Sequence, residues 1–135
     1  LLRREGANAE IEVWQCNAFG RYHHPRDTDS SGPLDPNFQG YGRLVTDGEG
    51  RYRIKTIKPP PYSGRTPHLH FNVASGRARL TTQMFFDGEA GNDRDFLYRN
   101  LNPDDRRAST GRFGDRASGM ESDAVVTVWD IVLRT

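Results

Sequence analysis

Residues 51–71, RYRIKTIKPPPYSGRTPHLHF, constrain this 135-residue chain more than any other stretch. They read as a strand, a proline-stiffened loop and a second strand carrying His68-Leu69-His70. Side chains alternate across a strand, so His68, His70 and Asn72 share one face while Leu69, Phe71 and Val73 share the other. One face suits a core. The other presents two imidazoles, which pack poorly but make half of a metal site, because neutral histidine is the commonest transition-metal ligand. Pro59, Pro60 and Pro61 precede Tyr62 and Pro67 follows it. Each proline fixes its own φ and restricts the residue before it, so the loop has little freedom. Chemistry is expected where that rigid loop meets the two-His strand.

The same alternation recurs elsewhere. Residues 10–16, EIEVWQC, place Ile11 and Val13 on one face of a strand. Residues 43–46 and 51–57 flank Asp47-Gly48-Glu49-Gly50 and read as a hairpin, as do 68–74 and 79–86 around Ser75-Gly76-Arg77-Ala78. Residues 123–134, DAVVTVWDIVLR, read as a long strand buried on both faces. The stretch from Asn17 to Gly42 carries turn signals at Ser31-Gly32-Pro33 and Asp35-Pro36-Asn37, and loops so long tend to be functional or disordered. Residues 87–122 are polar, with one short helix expected near 93–101. Many short strands and almost no amphipathic helix predict an all-β domain over 1–135, a β-sandwich of mixed strands or a barrel, with long functional loops.

The second hairpin supports a register argument. With a loop of two or four residues, paired positions sum to a constant that sets Gln83 opposite His70, Phe85 opposite His68 and Thr81 opposite Asn72. A three-residue loop would set Thr82 there instead.

Charge and cysteine content exclude several classes. The net charge is +1, with basic residues interleaved among acids, so no nucleic-acid-binding stripe is evident. No run approaches the ~20 apolar residues of a membrane helix. Cys16 is the only cysteine, which excludes an intrachain disulfide and a thiolate zinc cluster and fits a reducing compartment. The abrupt start, LLRREGANAE, is not itself a signal peptide and leaves room for N-terminal strands or a removed leader before it.

Tyr22, Tyr62, His68 and His70 are weighed together. Two phenols and two imidazoles make a site with two formal negative charges once both phenols ionise, and anionic oxygen donors favour a hard, highly charged ion such as Fe(III). The plain alternative is two satisfied histidines at a pocket wall and a half-buried loop tyrosine. His23 and His24 either line a substrate entrance or are solvated loop residues. Trp14 and Trp129 are expected in the core and Cys16 as a small buried hydrophobe. Arg106, Arg107, Arg112 and Arg116 read as a solvated cluster.

Several stretches together resemble the intradiol ring-cleavage dioxygenases, near the protocatechuate 3,4-dioxygenase branch. They are EIEVWQCNAFGRY (10–22), LDPNFQGYGR (34–43), TDGEGRYRIKTIKPPPY (46–62), RTPHLHF (65–71), LTTQMFF (80–86) and WDIVLR (129–134). The resemblance implies one non-haem Fe(III) per chain, held by Tyr22, Tyr62, His68 and His70. It puts the family's active-site arginine on Arg65 and its active-site glutamine on Gln83. It implies a catechol-type substrate, O2 as co-substrate and a cis,cis-muconate-type product, with Tyr62 serving as ligand and as base. The chain departs from the family in a shorter 62–68 loop, in Phe85 where many relatives have tyrosine, and in the scarcity of strands before residue 10. Both monomeric and homo-oligomeric, and both cytoplasmic and exported, members fit the pattern. Two competitors remain. A two-His hydrolase or cupin-like oxygenase would need a carboxylate ligand, and a non-enzymatic transthyretin-like or carbohydrate-binding β-sandwich would use His68 and His70 as wall residues.

Overall fold

Ile11 and Val13 turn inward from β1 (Glu10–Trp14), and the alternation that buries them leaves Glu12 and Trp14 on the opposite face. A computed structural model describes residues 7–27, 32–115 and 119–134; Ser31 of one expected turn, Arg116 of the arginine cluster and the first six residues lie outside these. Around β1 the main sheet is completed by β2 (Tyr41–Val45), β3 (His68–Ser75), β4 (Ala78–Phe86) and β5 (Thr110–Gly111), in the order β2-β1-β3-β4-β5. Its pairings are antiparallel except β4 with β5, which is parallel. A small second ladder pairs β6 (Gly114–Asp115) with β7 (Val125–Val126). Among the described residues no helix is long and apolar enough to cross a membrane.

One face of the sheet carries the core. Ile11, Val13, Leu69, Phe71, Val73, Met84 and Phe86 form a continuous buried cluster, each contributing about 1.5–3 kcal/mol by leaving water. A second layer of extended chain covers it with Tyr52, Ile54, Trp129, Ile131 and Leu133. The Tyr52 hydroxyl donates to the Trp129 carbonyl at 2.7 Å and ties the two covering segments together. The fold is thus an all-β sandwich of mixed strands, as the spacing of the short strands predicts.

Four local expectations are corrected. Residues 51–57 do not pair with β2, because after the Asp47–Gly50 turn the chain leaves the sheet so that Tyr52 and Ile54 can reach the core. The 123–134 run is not one long strand: only Val125–Val126 pairs in a ladder, and the rest is partly buried on one face, with Trp129, Ile131 and Leu133 packed on the core while Val128 is 90% exposed and Val132 63%. The single helix expected near 93–101 is a 3-10 turn, Asn92–Arg94, followed by α1 (Phe96–Asn100); a further helix, α2 (Pro103–Ala108), begins on Asn102 as cap with proline in its first turn. Trp14 is outside the core, on the sheet face of His68 and His70, whereas Trp129 packs on Phe71 with ring centroids 5.0 Å apart.

The β3–β4 hairpin turns through Gly76-Arg77, with Gly76 at φ +55°, and Ser75 pairs with Ala78. The register is therefore the expected even-loop one, with His70 opposite Gln83, His68 opposite Phe85 and Asn72 opposite Thr81.

Candidate metal centre

Two short loops aim tyrosines at the histidine face of β3. Asn17 organises the first: its side-chain oxygen accepts from Phe19 N at 2.9 Å and Arg21 N at 3.0 Å, and its amide donates to the Pro33 carbonyl. Asp27 then accepts the Tyr22 backbone N–H at 2.8 Å. Gly20 sits at φ +78°, and a Cβ there would stand 3.1 Å from the Tyr62 Cβ, so the loops pack with no room for a side chain. In the second loop Tyr62 and Arg65 exchange backbone hydrogen bonds across Ser63 (φ +44°) and Gly64 (φ +77°), a two-residue turn with positive φ at both central positions. Tyr62 and Arg65 are thereby held side by side.

Four side-chain atoms converge. Tyr22 Oη lies 2.5 Å from Tyr62 Oη and 2.9 Å from His70 Nε2; Tyr62 Oη lies 3.3 Å from His68 Nε2, and the two Nε2 atoms are 3.1 Å apart. His68 Nδ1–H donates to the Thr66 carbonyl at 2.7 Å, which leaves Nε2 as its free lone pair facing the cluster. Trp14 stacks on the His70 ring at 4.9 Å with 5° between planes and fixes its orientation.

Burial sets the electrostatics. It depresses the His68 pKa to about 4 and that of His70 to about 3, in both cases with help from the Arg65 charge, so both imidazoles are neutral at ordinary pH. Burial raises both phenols. Tyr22 is raised furthest, while the Arg65 guanidinium partly offsets the rise at Tyr62.

Beside the tetrad, Arg65 Nη2 donates to Gln83 Oε1 at 2.6 Å, and Gln83 Nε2 lies 3.4 Å from His70 Nδ1. Tyr22, Tyr62, Arg65, His68, His70 and Gln83 are all brought together. His23 and His24 are exposed and stand apart, with His24 Nδ1 accepting from Arg26 N. Arg106 donates to the Tyr98 and Arg99 carbonyls and Arg107 pairs with Asp104. Cys16 is buried.

Sequence reasoning missed Trp14, Asn17, Asp27 and Asp95. Trp14 was accessible, since the parity that buries Ile11 and Val13 puts it on the His face. Asp95 shows only a helix-cap signal; nothing in its neighbours points to Arg65, 30 residues earlier.

Residues 4–135 match the family model described as Dioxygenase, and the chain belongs to that family, the intradiol dioxygenases. It is 48% identical over 91 residues to the protocatechuate 3,4-dioxygenase beta chain of Burkholderia cepacia, covering 61% of this chain and 38% of the relative. It is 32% identical over 96 residues to a catechol 1,2-dioxygenase of Candida albicans, covering 57% of this chain and 30% of that one. The chain thus spans about two-fifths or less of the length of these relatives. Among solved structures it resembles the dioxygenase domain of a dioxygenase carbohydrate-binding protein fusion from Streptomyces sp. SirexAA-E, with TM-score 0.61, 30% identity and coverage of 83% and 62%. It also resembles catechol 1,2-dioxygenase from Pseudomonas arvilla C-1, with TM-score 0.65, 25% identity and coverage of 94% and 46%.

Proposed function

We propose that this chain carries the non-haem ferric centre of an intradiol dioxygenase, one iron per chain. In this reading it opens a catechol-type ring between its two hydroxylated carbons, incorporating both atoms of O2 into a cis,cis-muconate-type product. The observation that carries the reading is the convergence of two phenol oxygens and two imidazole nitrogens on one point. Donors bound to a first-row metal at about 2.1 Å and near 90–105° stand roughly 3.0–3.3 Å apart, which suits the histidine and histidine–tyrosine separations here. Among the described residues no three His, Cys, Asp or Glu side chains converge, so a two-His centre with a carboxylate has no support. A wall-histidine binding module has no use for two phenols sharing one hydrogen bond.

Tyr22 Oη, Tyr62 Oη, His68 Nε2 and His70 Nε2 would hold the ion. Bound there, Fe(III) supplies the Lewis acidity that favours a catechol dianion and prepares its ring for O2. Tyr62 Oη takes up a catechol proton, acting as the base within reach. Arg65 offsets negative charge gathering on the ring, as fixed cations do in sites shielded from water. Gln83 stands between Arg65 and His70 and holds both in place. The relatives are named for catechol, chlorocatechol, hydroxyquinol and protocatechuate. Their shared chemistry, two adjacent ring hydroxyls, is the substrate class proposed for this chain.

The test is turnover of iron-loaded protein on these four rings under labelled oxygen. The account predicts one O2 consumed per ring opened, with both labelled atoms in the product. It predicts loss of stoichiometric iron in His70→Ala. No oxygen uptake with any of the rings by a fully iron-loaded protein would refute it.

A further inference from the structure

Asp95 is the most deeply buried carboxylate among the described residues, at 0% exposure. Its oxygens are fully engaged: Oδ2 accepts from Arg65 Nε at 2.8 Å and Thr66 N at 3.0 Å, and Oδ1 accepts from Leu97 N at 3.0 Å and Tyr98 N at 3.2 Å. Capping α1 does not account for the charge. Serine or asparagine caps a helix as well, and a buried ion costs several kcal/mol unless it is paired. The charge answers to Arg65.

Arg65 is held on three sides. Asp95 fixes its Nε edge, Gln83 accepts from Nη2 at 2.6 Å, and the Phe96 ring lies against the guanidinium at 5.4 Å. An unclamped arginine samples many rotamers, and its planar fork holds one direction best when an edge is fixed by a bidentate or paired partner. Gln83 in turn reaches toward His70 Nδ1 at 3.4 Å. A continuous line therefore runs from the buried carboxylate through Arg65 and Gln83 to the histidine of the tetrad.

We infer that Asp95 is the positioning residue for Arg65, holding the guanidinium where it meets the ring oxygens of a bound catechol. The inference rests on the dioxygenase reading. Asp95 touches no reacting atom; it acts through Arg65, so its removal harms substrate binding and turnover while leaving the four iron-holding side chains in place.

The test compares Asp95→Asn, Arg65→Gln and the double variant as iron-loaded proteins. Asp95→Asn is expected to keep full iron content and the resting visible band. Its anaerobic affinity for catechol, read from the shift of that band, should fall roughly tenfold, and kcat/KM by about 10²-fold, the scale of a small misplacement at an active site. In the Arg65→Gln background the same change should cost less than about twofold in kcat/KM, because coupled residues are not additive. The double variant should also melt higher than Arg65→Gln, which leaves a buried charge unpaired. Should Asp95→Asn not fold, Arg65→Lys, which keeps the charge and loses the Nε bond, is expected to show the same fall in catechol affinity. Wild-type catechol affinity in Asp95→Asn or Arg65→Lys, or additive losses in the cycle, would overturn the role of Asp95 while the dioxygenase reading stood. A wild-type protein whose iron band ignores catechol would overturn both.

Discussion

At the scale of single residues, the centre depends on positions that carry no chemistry of their own. Gly20 combines a left-handed φ of +78° with a 3.1 Å approach to Tyr62. Gly20→Ala therefore strains the backbone and presses the two tyrosine loops apart. The expected cost is about 1–2 kcal/mol of stability together with weaker iron retention, read by thermal melting and by iron content after dialysis. Unchanged melting and iron content would show that the close approach is incidental. Strand parity, loop stiffness and matching motifs single out the six side chains that the fold brings together. Trp14 obeys the same parity, yet a tryptophan on a strand with two buried aliphatics reads as core until His70 is seen 4.9 Å away. Asn17 and Asp27 were not legible, because their partners are backbone groups inside an irregular loop.

At the scale of elements, the sequence narrowed the β3–β4 register to Gln83 or Thr82 opposite His70, and the two-residue turn at Gly76-Arg77 selects Gln83. The turn at Asp47–Gly50 was equally visible, but turn chemistry states where a chain reverses and not which layer it enters next. The apolar side chains of Tyr52 and Ile54 decide that by seeking the core. The covering layer is therefore held by packing and by isolated bonds more than by ladders. Tyr52→Phe, which deletes the bond to the Trp129 carbonyl, is expected to cost about 1 kcal/mol in denaturant unfolding without altering the tyrosine–histidine cluster. No loss of stability would mean that the two segments are joined by packing alone.

At the scale of the whole molecule, burying two neutral imidazoles makes stability depend on pH. Both histidines titrate lower in the folded iron-free protein than in the unfolded chain, where their ordinary value is near 6.5. The unfolded chain then binds more protons between those limits, so stability is greatest above pH 6.5 and falls as pH drops toward about 4 for His68 and about 3 for His70. The iron-free protein should lose a few kcal/mol across that window, on the order of one to three per histidine. A flat melting profile from pH 6.5 to 4.5 would mean that the histidines are solvated. Iron uptake should weaken over the same range and beyond, since two phenols must release protons to bind it. The most direct test of the centre is the visible spectrum of the iron-loaded protein before and after catechol is added without oxygen. The account predicts a broad band from two phenolates on ferric iron that moves to longer wavelength on adding catechol. A protein that stays colourless after reconstitution with ferric iron would contradict it.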